Sequence, residues 1–342
     1  MPTNKWILPE GVEDILPEQA FWLELKRREV VDTFMTYGYG IVIPPLIEYH
    51  NSLLSNSSED LDLQTFKLID QDTGKQLGLR ADITSQISRI YSTYNSKGDI
   101  NRYCYFDHVV RTKNIDSKVS RIPIQAGAEL IGSSDIDDEA ELVILMLDIV
   151  KKFTNKKIFL DIGHVGIFKK LISSVNLKTD HEKQIKKLIR SKSGSEIKKY
   201  LNDVDVDQSF KECLYNFPKM HGFIKDIDND LKQLKRFDNN IEQDIQHIVK
   251  LCKIIECTHK NVEIKYDFCE LKGFDYENDI IFSAYIENDS HEAALGGKYN
   301  FDSGNVSGIG FSMDVRHLIK NLSTEKKLVN KDGKWLVEKA DE

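Results

Sequence analysis

The sequence predicts an α+β fold, in which an antiparallel sheet is flanked by helices and interrupted by a helical insertion. Consecutive strand-like segments are joined by short turns, which is typical of antiparallel hairpins. Neither GxGxxG nor GxxxxGKS opens a helix, so Rossmann and P-loop folds lack their main support. From about residue 177 to residue 260 the chain is lysine-rich and helical in period, which indicates the insertion.

The first 111 residues contain alternating helix and strand signals. Residues 18–37 have the apolar spacing of an amphipathic helix. The strand predicted next, residues 41–43, runs into Pro44-Pro45 and therefore lies at an edge or a junction. The remaining segments are strands near 64–70 and 76–80 around an Asp72-Thr73-Gly74 turn, a helix from about Ser85, and a strand over 101–111.

The second half of the chain begins with a helix over 137–153, whose acidic start and lysine-rich end suit the helix dipole. The later segments are strands at 158–163, 262–268, 280–287, 293–299 and 306–313, and a helix over 314–320. The predicted domains are a core in two parts (1–176 and 262–320), the insertion (177–261) and a charged tail (321–342) with too little apolar content for a domain.

Composition restricts the class of protein. The chain has 342 residues, of which 40% are hydrophobic and 30% charged, as in ordinary globular proteins. No secretion signal or membrane-spanning run is evident, and five scattered cysteines fit a reducing compartment, so we expect a cytoplasmic location. A net charge of -8 disfavours nucleic acid, and nine histidines without ligand spacing support no metal site. No cofactor is expected either.

The most informative segment is RIPIQAGAE, residues 121–129. As a strand it places apolar residues at even positions, and Arg121, Gln125, Gly127 and Glu129 on the opposite face. Packing a core does not require this polar face. Gly127 leaves space for a small ligand, and a partly buried Glu129 would need a cation, for which an α-ammonium or an imidazolium is suitable.

Structural alternatives remain open for these residues. The polar face could simply be exposed to solvent. Glu129 could be a structural carboxylate paired with Arg111 or Arg121. Asp82 could cap the helix that follows it and contact no ligand.

Several motifs together resemble the catalytic core of class II aminoacyl-tRNA synthetases, in particular the histidyl branch. The helix over 18–37 and the strand that ends at Pro44-Pro45 resemble the dimer-forming first motif, and Arg111 resembles the arginine of the second. Residues 121–129 resemble the histidine-binding strand. The other matching segments are GVEDILPEQA near the start, LKGFDYENDIIF at 271–282, LGGKY at 295–299 and GIGFSMDVRHL at 308–318. The resemblance covers roughly residues 6–175 and 262–320.

The departures from the synthetase pattern affect the nucleotide machinery. After Arg111 come Thr112, Lys113 and Asn114, where the family has an acidic residue, and LGLRAD ends in Asp82 where the synthetases have a proline and then a glutamate. Lys272 and His317 stand at arginine positions, and Glu277 follows Tyr276 in place of a second tyrosine. A lysine cannot reproduce the bidentate fork of an arginine. Arg316 adjoins His317, so a shift of one residue would restore that arginine. The chain after Lys320 is expected to be too short for an anticodon-binding domain.

This combination resembles the regulatory subunits of ATP phosphoribosyltransferase, which are paralogues of the synthetase. LDLQTFKLID, LGLRADITSQ and QAGAELIG are similar to that family. The resemblance implies no catalytic residue, a short-form catalytic subunit as partner, L-histidine as feedback effector and a homodimer within a hetero-oligomer, with neither nucleic acid nor membrane. It implies histidine binding by Asp82, Arg111, Gln125, Gly127, Glu129, Lys272 and Tyr276.

Two other interpretations remain open. The first is a stand-alone histidine-activating enzyme without an anticodon-binding domain, which the retained Arg111 and the nearby Arg316 favour. The second is a synthetase-derived factor that binds tRNA or another protein.

Overall fold

The structure is a computed structural model, and it describes residues 7–54, 59–95, 98–113, 120–132, 135–175, 177–270, 277–302, 304–320, 322 and 326–339. The chain divides into two compact units. The first comprises residues 1–133, 145–155 and 301–342, and the second comprises residues 134–144 and 156–300. The predicted domain boundaries stay a prediction.

The helices and strands follow the predicted order closely. The α-helices are α1 Pro17–Thr36, α2 His50–Leu53, α3 Glu59–Gln64, α4 Thr84–Tyr94, α5 Ile136–Val150, α6 Val165–Ser173, α7 Thr179–Arg190, α8 Gly194–Leu201, α9 Gln208–Asn216, α10 Ile227–Leu234, α11 Ile241–Thr258 and α12 Val315–Ile319. The strands are β1 Gly40–Ile41, β2 Ile47–Tyr49, β3 Phe66–Ile69, β4 Gln76–Leu79, β5 Asn101–His108, β6 Ile124–Ile131, β7 Ile158–His164, β8 His221–Phe223, β9 Glu263–Asp267, β10 Glu277–Ile286, β11 Glu292–Phe301, β12 Val306–Asp314, β13 Lys326–Lys331 and β14 Lys334–Lys339.

The first unit contains the strand order β1-β5-β6-β12. Strands β5, β6 and β12 are antiparallel neighbours, whereas β1 runs parallel to β5. The predicted hairpin of β3 and β4 is confirmed, and β2 joins it in a small antiparallel sheet. Helix α1 buries Val30 and Phe34, and the Phe34 ring lies 6.2 Å from that of Phe311 on β12. This packing supports the sheet that carries the polar face.

Two sequence predictions in the first unit need correction. The strand predicted from Arg121 begins at Ile124, because Pro123 lacks the N–H that would continue the ladder. The charged tail contains the hairpin of β13 and β14, which the lysine-rich composition did not indicate. Its two-residue loop is Asp332-Gly333, with φ angles of 50° and 78°. Positive φ at both central residues is what a type I′ hairpin turn requires.

The second unit contains the strand order β11-β10-β7-β9-β8. Strand β7 is parallel to β9, and the β10–β11, β7–β10 and β8–β9 pairs are antiparallel. Residues 177–261 are mainly helical, as expected. The exception is β8, which extends the sheet edge. Strand β8 has three residues and lies between short helical turns. Three residues are too few to show the alternation of apolar and polar side chains by which a strand is recognised in a sequence.

A buried ion network connects the elements of the second unit. Glu139 of α5 accepts from Lys298 Nζ of β11 at 2.7 Å and contacts His247 of α11. That hydrogen bond raises the pKa of His247. His164 Nε2 lies 2.7 Å from Asp279 Oδ1. Burial alone would raise the pKa of Asp279, but the hydrogen bond from His164 holds that pKa below its usual value. Pairing of this kind offsets the cost of burying the carboxylates.

In the part of the chain that the structure describes, no helix combines the length and apolarity needed to cross a bilayer.

Candidate functional site

The predicted polar face lies across three neighbouring strands of the first unit. Residues directly opposite one another on paired strands project to the same face of a sheet. The face is therefore formed by three rows, Asp107–Gln125–Asp314, Tyr105–Gly127–Ser312 and Tyr103–Glu129–Gly310. Gln125 is 5% exposed and Glu129 is 1% exposed, so the alternative of a solvent-exposed polar face is wrong.

Gln125 is fixed by two contacts with the segment that precedes α4. Its Oε1 accepts from the Ile83 N–H at 3.0 Å, and its Nε2 donates to Asp82 Oδ1 at 2.7 Å. The other carboxylate oxygen of Asp82 accepts from the Thr84 N–H at 3.0 Å. Asp82 therefore binds the N–H at the start of α4 and also the Gln125 side chain on the polar strand, while its contact with a ligand stays a prediction.

Glu129 is held by two hydroxyl groups. Thr84 Oγ1 donates to Glu129 Oε1 at 2.8 Å, and the Tyr105 hydroxyl donates to the same oxygen at 3.3 Å. Glu129 Oε2 lies over Gly310, where a Cβ atom would come within 1.7 Å of it. Gly310 thus provides the space for the carboxylate group.

The prediction that Gly127 leaves space for a small ligand is wrong, because Tyr105 occupies the space above it. A Cβ atom on Gly127 would lie 2.4 Å from the Tyr105 hydroxyl oxygen and 2.4 Å from the Phe311 carbonyl oxygen. Burial, together with the charges of Glu129 and Asp82, holds the pKa of Tyr105 well above its usual value. Tyr105 therefore stays protonated and remains a hydrogen-bond donor to Glu129.

The arginines considered as partners of Glu129 donate to backbone carbonyls. Arg111 Nε reaches the Ala81 carbonyl at 3.4 Å, and Arg121 Nε reaches the Arg111 carbonyl at 3.1 Å. The positive charge of Arg111 also affects the pKa of Asp314, which lies at the end of β12. Burial raises the pKa of Asp314, while the His317 N–H and the charge of Arg111 oppose that rise. Arg111 therefore supplies positive charge at this end of the polar face.

The structure brings together Asp82, Gln125, Gly127 and Glu129, with Arg111 on the adjoining segment, whereas Lys272 and Tyr276 lie outside the described residues. The site also contains Thr84, Tyr105 and Gly310, which were not predicted from the sequence. The pairing of the strands places Tyr105 and Gly310 opposite Gly127 and Glu129, and Thr84 enters the site as the first residue of α4.

The arrangement suits a small polar ligand that carries positive charge. The Asp82 and Glu129 carboxylates both lie at the polar face. A cationic group would add a charge-assisted hydrogen bond to either carboxylate, which is stronger than a bond between neutral groups.

Comparisons with known proteins give a consistent answer. The family model described as histidyl-tRNA synthetase matches residues 11–318. An ATP phosphoribosyltransferase regulatory subunit from Thioalkalivibrio sulfidiphilus is 35% identical over 323 residues, which are 93% of this chain and 82% of that protein. This chain belongs to the family of ATP phosphoribosyltransferase regulatory subunits. The regulatory interpretation is therefore confirmed over that of a stand-alone histidine-activating enzyme.

Solved structures support the fold of this family. An ATP phosphoribosyltransferase regulatory subunit/histidyl-tRNA synthetase from Bacillus halodurans has a TM-score of 0.83 at 21% identity, over 94% of this chain and 84% of that one. A chain of the ATP phosphoribosyl transferase (HisG:HisZ) complex from Thermotoga maritima has a TM-score of 0.68 at 17% identity, over 88% of this chain and 98% of that one. The predicted synthetase-like core is thereby confirmed.

Proposed function

We propose that this chain activates a short-form catalytic subunit of ATP phosphoribosyltransferase, mediates its feedback inhibition by L-histidine, and catalyses no reaction itself. The observation that carries the proposal is the hydrogen-bonded constellation of half-buried Asp82 and Thr84 with buried Gln125 and Glu129. L-histidine has an α-ammonium and an imidazole, which match two carboxylates and an amide. Lys272 and Tyr276 stay predicted ligands of the same molecule.

The proposed assembly is a homodimer within a larger hetero-complex. The Thermotoga maritima neighbour was solved as a complex of two kinds of chain, which supports a catalytic partner here. We assign self-association to residues 41–49, called here the association segment. Its exposed apolar residues are Ile41, Ile43, Leu46, Ile47 and Tyr49. Its only charged residue, Glu48, is bonded to Arg89 and Gln86, so two copies of this acidic chain can meet there without like-charge repulsion.

The assembly is tested by light scattering at micromolar concentration. We expect the mass of a dimer for the chain alone, and a larger mass after the short catalytic subunit is added. The catalytic rate should rise on mixing, and histidine should then lower it. A monomer whose mass does not change on addition of the partner contradicts the proposal.

The absence of catalysis is supported by the position of Arg316. Its Nη2 contacts Glu13 Oε2 at 3.0 Å, and its Nη1 donates to Ser120 Oγ at 2.9 Å. The guanidinium of Arg316 thus binds the N-terminal segment. While it makes these contacts, it is a poor replacement for the arginine that binds phosphate in the synthetases.

We therefore expect pyrophosphate exchange with ATP, histidine and magnesium to stay at background for the purified chain. The physical reason is that His317 and Lys272, at positions where the resemblance places arginines, cannot present the planar guanidinium fork that binds phosphate oxygens. A histidyl-tRNA synthetase assayed in parallel is the positive control. Robust histidine-dependent exchange would instead support the enzyme interpretation.

A further inference from the structure

Arg80 lies two residues before Asp82 in the chain. Its side chain is buried and makes three contacts. It is 1% exposed. Its Nε donates to the His108 carbonyl at 2.7 Å, its Nη1 donates to the Pro44 carbonyl at 2.7 Å, and its Nη2 lies 2.7 Å from Asp107 Oδ2. A guanidinium fork can hold three acceptors in fixed directions, which a lysine ammonium on a flexible stem cannot do.

The backbone of Arg80 lies between the association segment and the polar site. Its N–H donates to the Leu46 carbonyl at 3.1 Å, and its carbonyl accepts from the Val110 N–H at 2.9 Å. The next residue along the chain, Ala81, accepts from Arg111, and Asp82 follows it. A displacement of this short stretch on ligand binding would therefore act directly on Pro44 and Leu46.

Helix α4 holds the same segment through two further side chains. Gln86 Nε2 donates to the Pro45 carbonyl at 2.7 Å and to Glu48 Oε1 at 2.8 Å. Arg89 binds Glu48 with both arms of its guanidinium, at 2.6 and 3.0 Å. Helix α4 begins at Thr84, which donates to Glu129. The helix is therefore hydrogen-bonded to the polar site at its start and to the association segment through Gln86 and Arg89.

We propose that Arg80 is a positioning residue, which couples ligand occupancy of the polar site to the pairing of two copies through the association segment. The inference rests on the proposed function, since it takes L-histidine as the ligand and a second copy as the partner. Histidine would reposition residues 80–84, and the Arg80 guanidinium would pass that change to Pro44. Linkage requires the reverse effect as well, so pairing changes histidine affinity by the same factor.

The test compares the effect of histidine on the dimer dissociation constant in two proteins. Ile47→Ala is introduced into both, because trimming the exposed apolar side chain brings monomers into the measurable range. Sedimentation of fluorescently labelled chain, with and without saturating histidine, gives the constants. We expect histidine to change the constant about fivefold or more when Arg80 is present. Arg80→Lys should reduce that change to less than about twofold, below the usual range of allosteric coupling, because a lysine cannot hold the three acceptors.

Arg190→Lys is the matched control, because Arg190 is an exposed residue of α7 in the second unit. It should retain the full effect of histidine. Thermal unfolding is measured for each variant, since a purely structural role of Arg80 would lower stability without changing the ratio of the two constants. Arg80→Lys with an unchanged ratio overturns the proposal.

A second variant keeps the proposal falsifiable if Arg80→Lys does not fold. Ile47 is exposed on β2. Ile47→Asp places a charge within the association segment and should therefore yield monomers. By linkage its histidine dissociation constant, measured by calorimetry, should differ from that of the dimer by the same factor. An unchanged affinity overturns the coupling. Failure of the wild-type chain and of its complex to bind histidine would instead overturn the proposed function.

Discussion

Replacing Glu129 with glutamine is expected to weaken L-histidine binding by about 1.5–3 kcal/mol, the scale of a hydrogen bond to a charged group. This corresponds to a dissociation constant roughly 10- to 150-fold higher. Glutamine keeps the shape above Gly310 and still offers an oxygen to the Thr84 and Tyr105 hydroxyls, but it removes the charge. Titration calorimetry measures the affinity, and an inhibition curve of the assembled complex measures the feedback.

Feedback inhibition should weaken in parallel with affinity, because an effector can shift an equilibrium only by its differential affinity for the two states. The uninhibited rate should change less, since no substrate is proposed to touch this site. Glu263→Gln is the matched control, as Glu263 pairs with Lys157 and Lys265 in the second unit. If the Glu129 variant binds histidine as tightly as the wild type, Glu129 is structural and the ligand binds elsewhere.

The sequence predicted the site strand well, because alternation is a local property of a strand. Ile124, Ala126, Ala128 and Leu130 are buried on one face as expected, with Gln125, Gly127 and Glu129 on the other. What fills that second face depends on register between strands, which the pattern of one strand does not determine. The Tyr105 ring above Gly127 and the Glu129 carboxylate above Gly310 both depend on it.

Arg80 shows a similar limit. In LGLRAD the sequence gives an arginine between a strand and a helix, where an exposed position is the usual expectation. Its burial follows from three acceptors that are distant along the chain, the Pro44 and His108 carbonyls and the Asp107 carboxylate. Burial alone would raise the pKa of Asp107, but the hydrogen bond from Arg80 holds that pKa below its usual value. Such a contact set becomes apparent only after the strands are placed.

Gly127→Ala is expected to cause the largest loss of stability among these variants. The added methyl group would lie 2.4 Å from the Phe311 carbonyl oxygen, which belongs to the paired strand and cannot rotate away. It would lie equally close to the Tyr105 hydroxyl. Overpacking of a well-packed interior costs typically about 1–3 kcal/mol, and a clash with backbone places this variant at about 3 kcal/mol or above. Urea unfolding of the isolated chain measures the change.

Gly222→Ala is the matched control, because the nearest atoms to its added methyl group are at 3.7 Å, an ordinary contact distance. Its free energy of unfolding should stay within about 0.5 kcal/mol of the wild type, as is usual where no special feature is disturbed. Adding Tyr105→Phe to Gly127→Ala removes the hydroxyl clash but leaves the ring carbon Cζ, at 2.5 Å, and the Phe311 carbonyl in place, so it should restore only part of the loss. Full restoration would mean that the tyrosine hydroxyl alone requires glycine at position 127, and a harmless Gly127→Ala would mean that the β6–β12 spacing is wider than the structure gives.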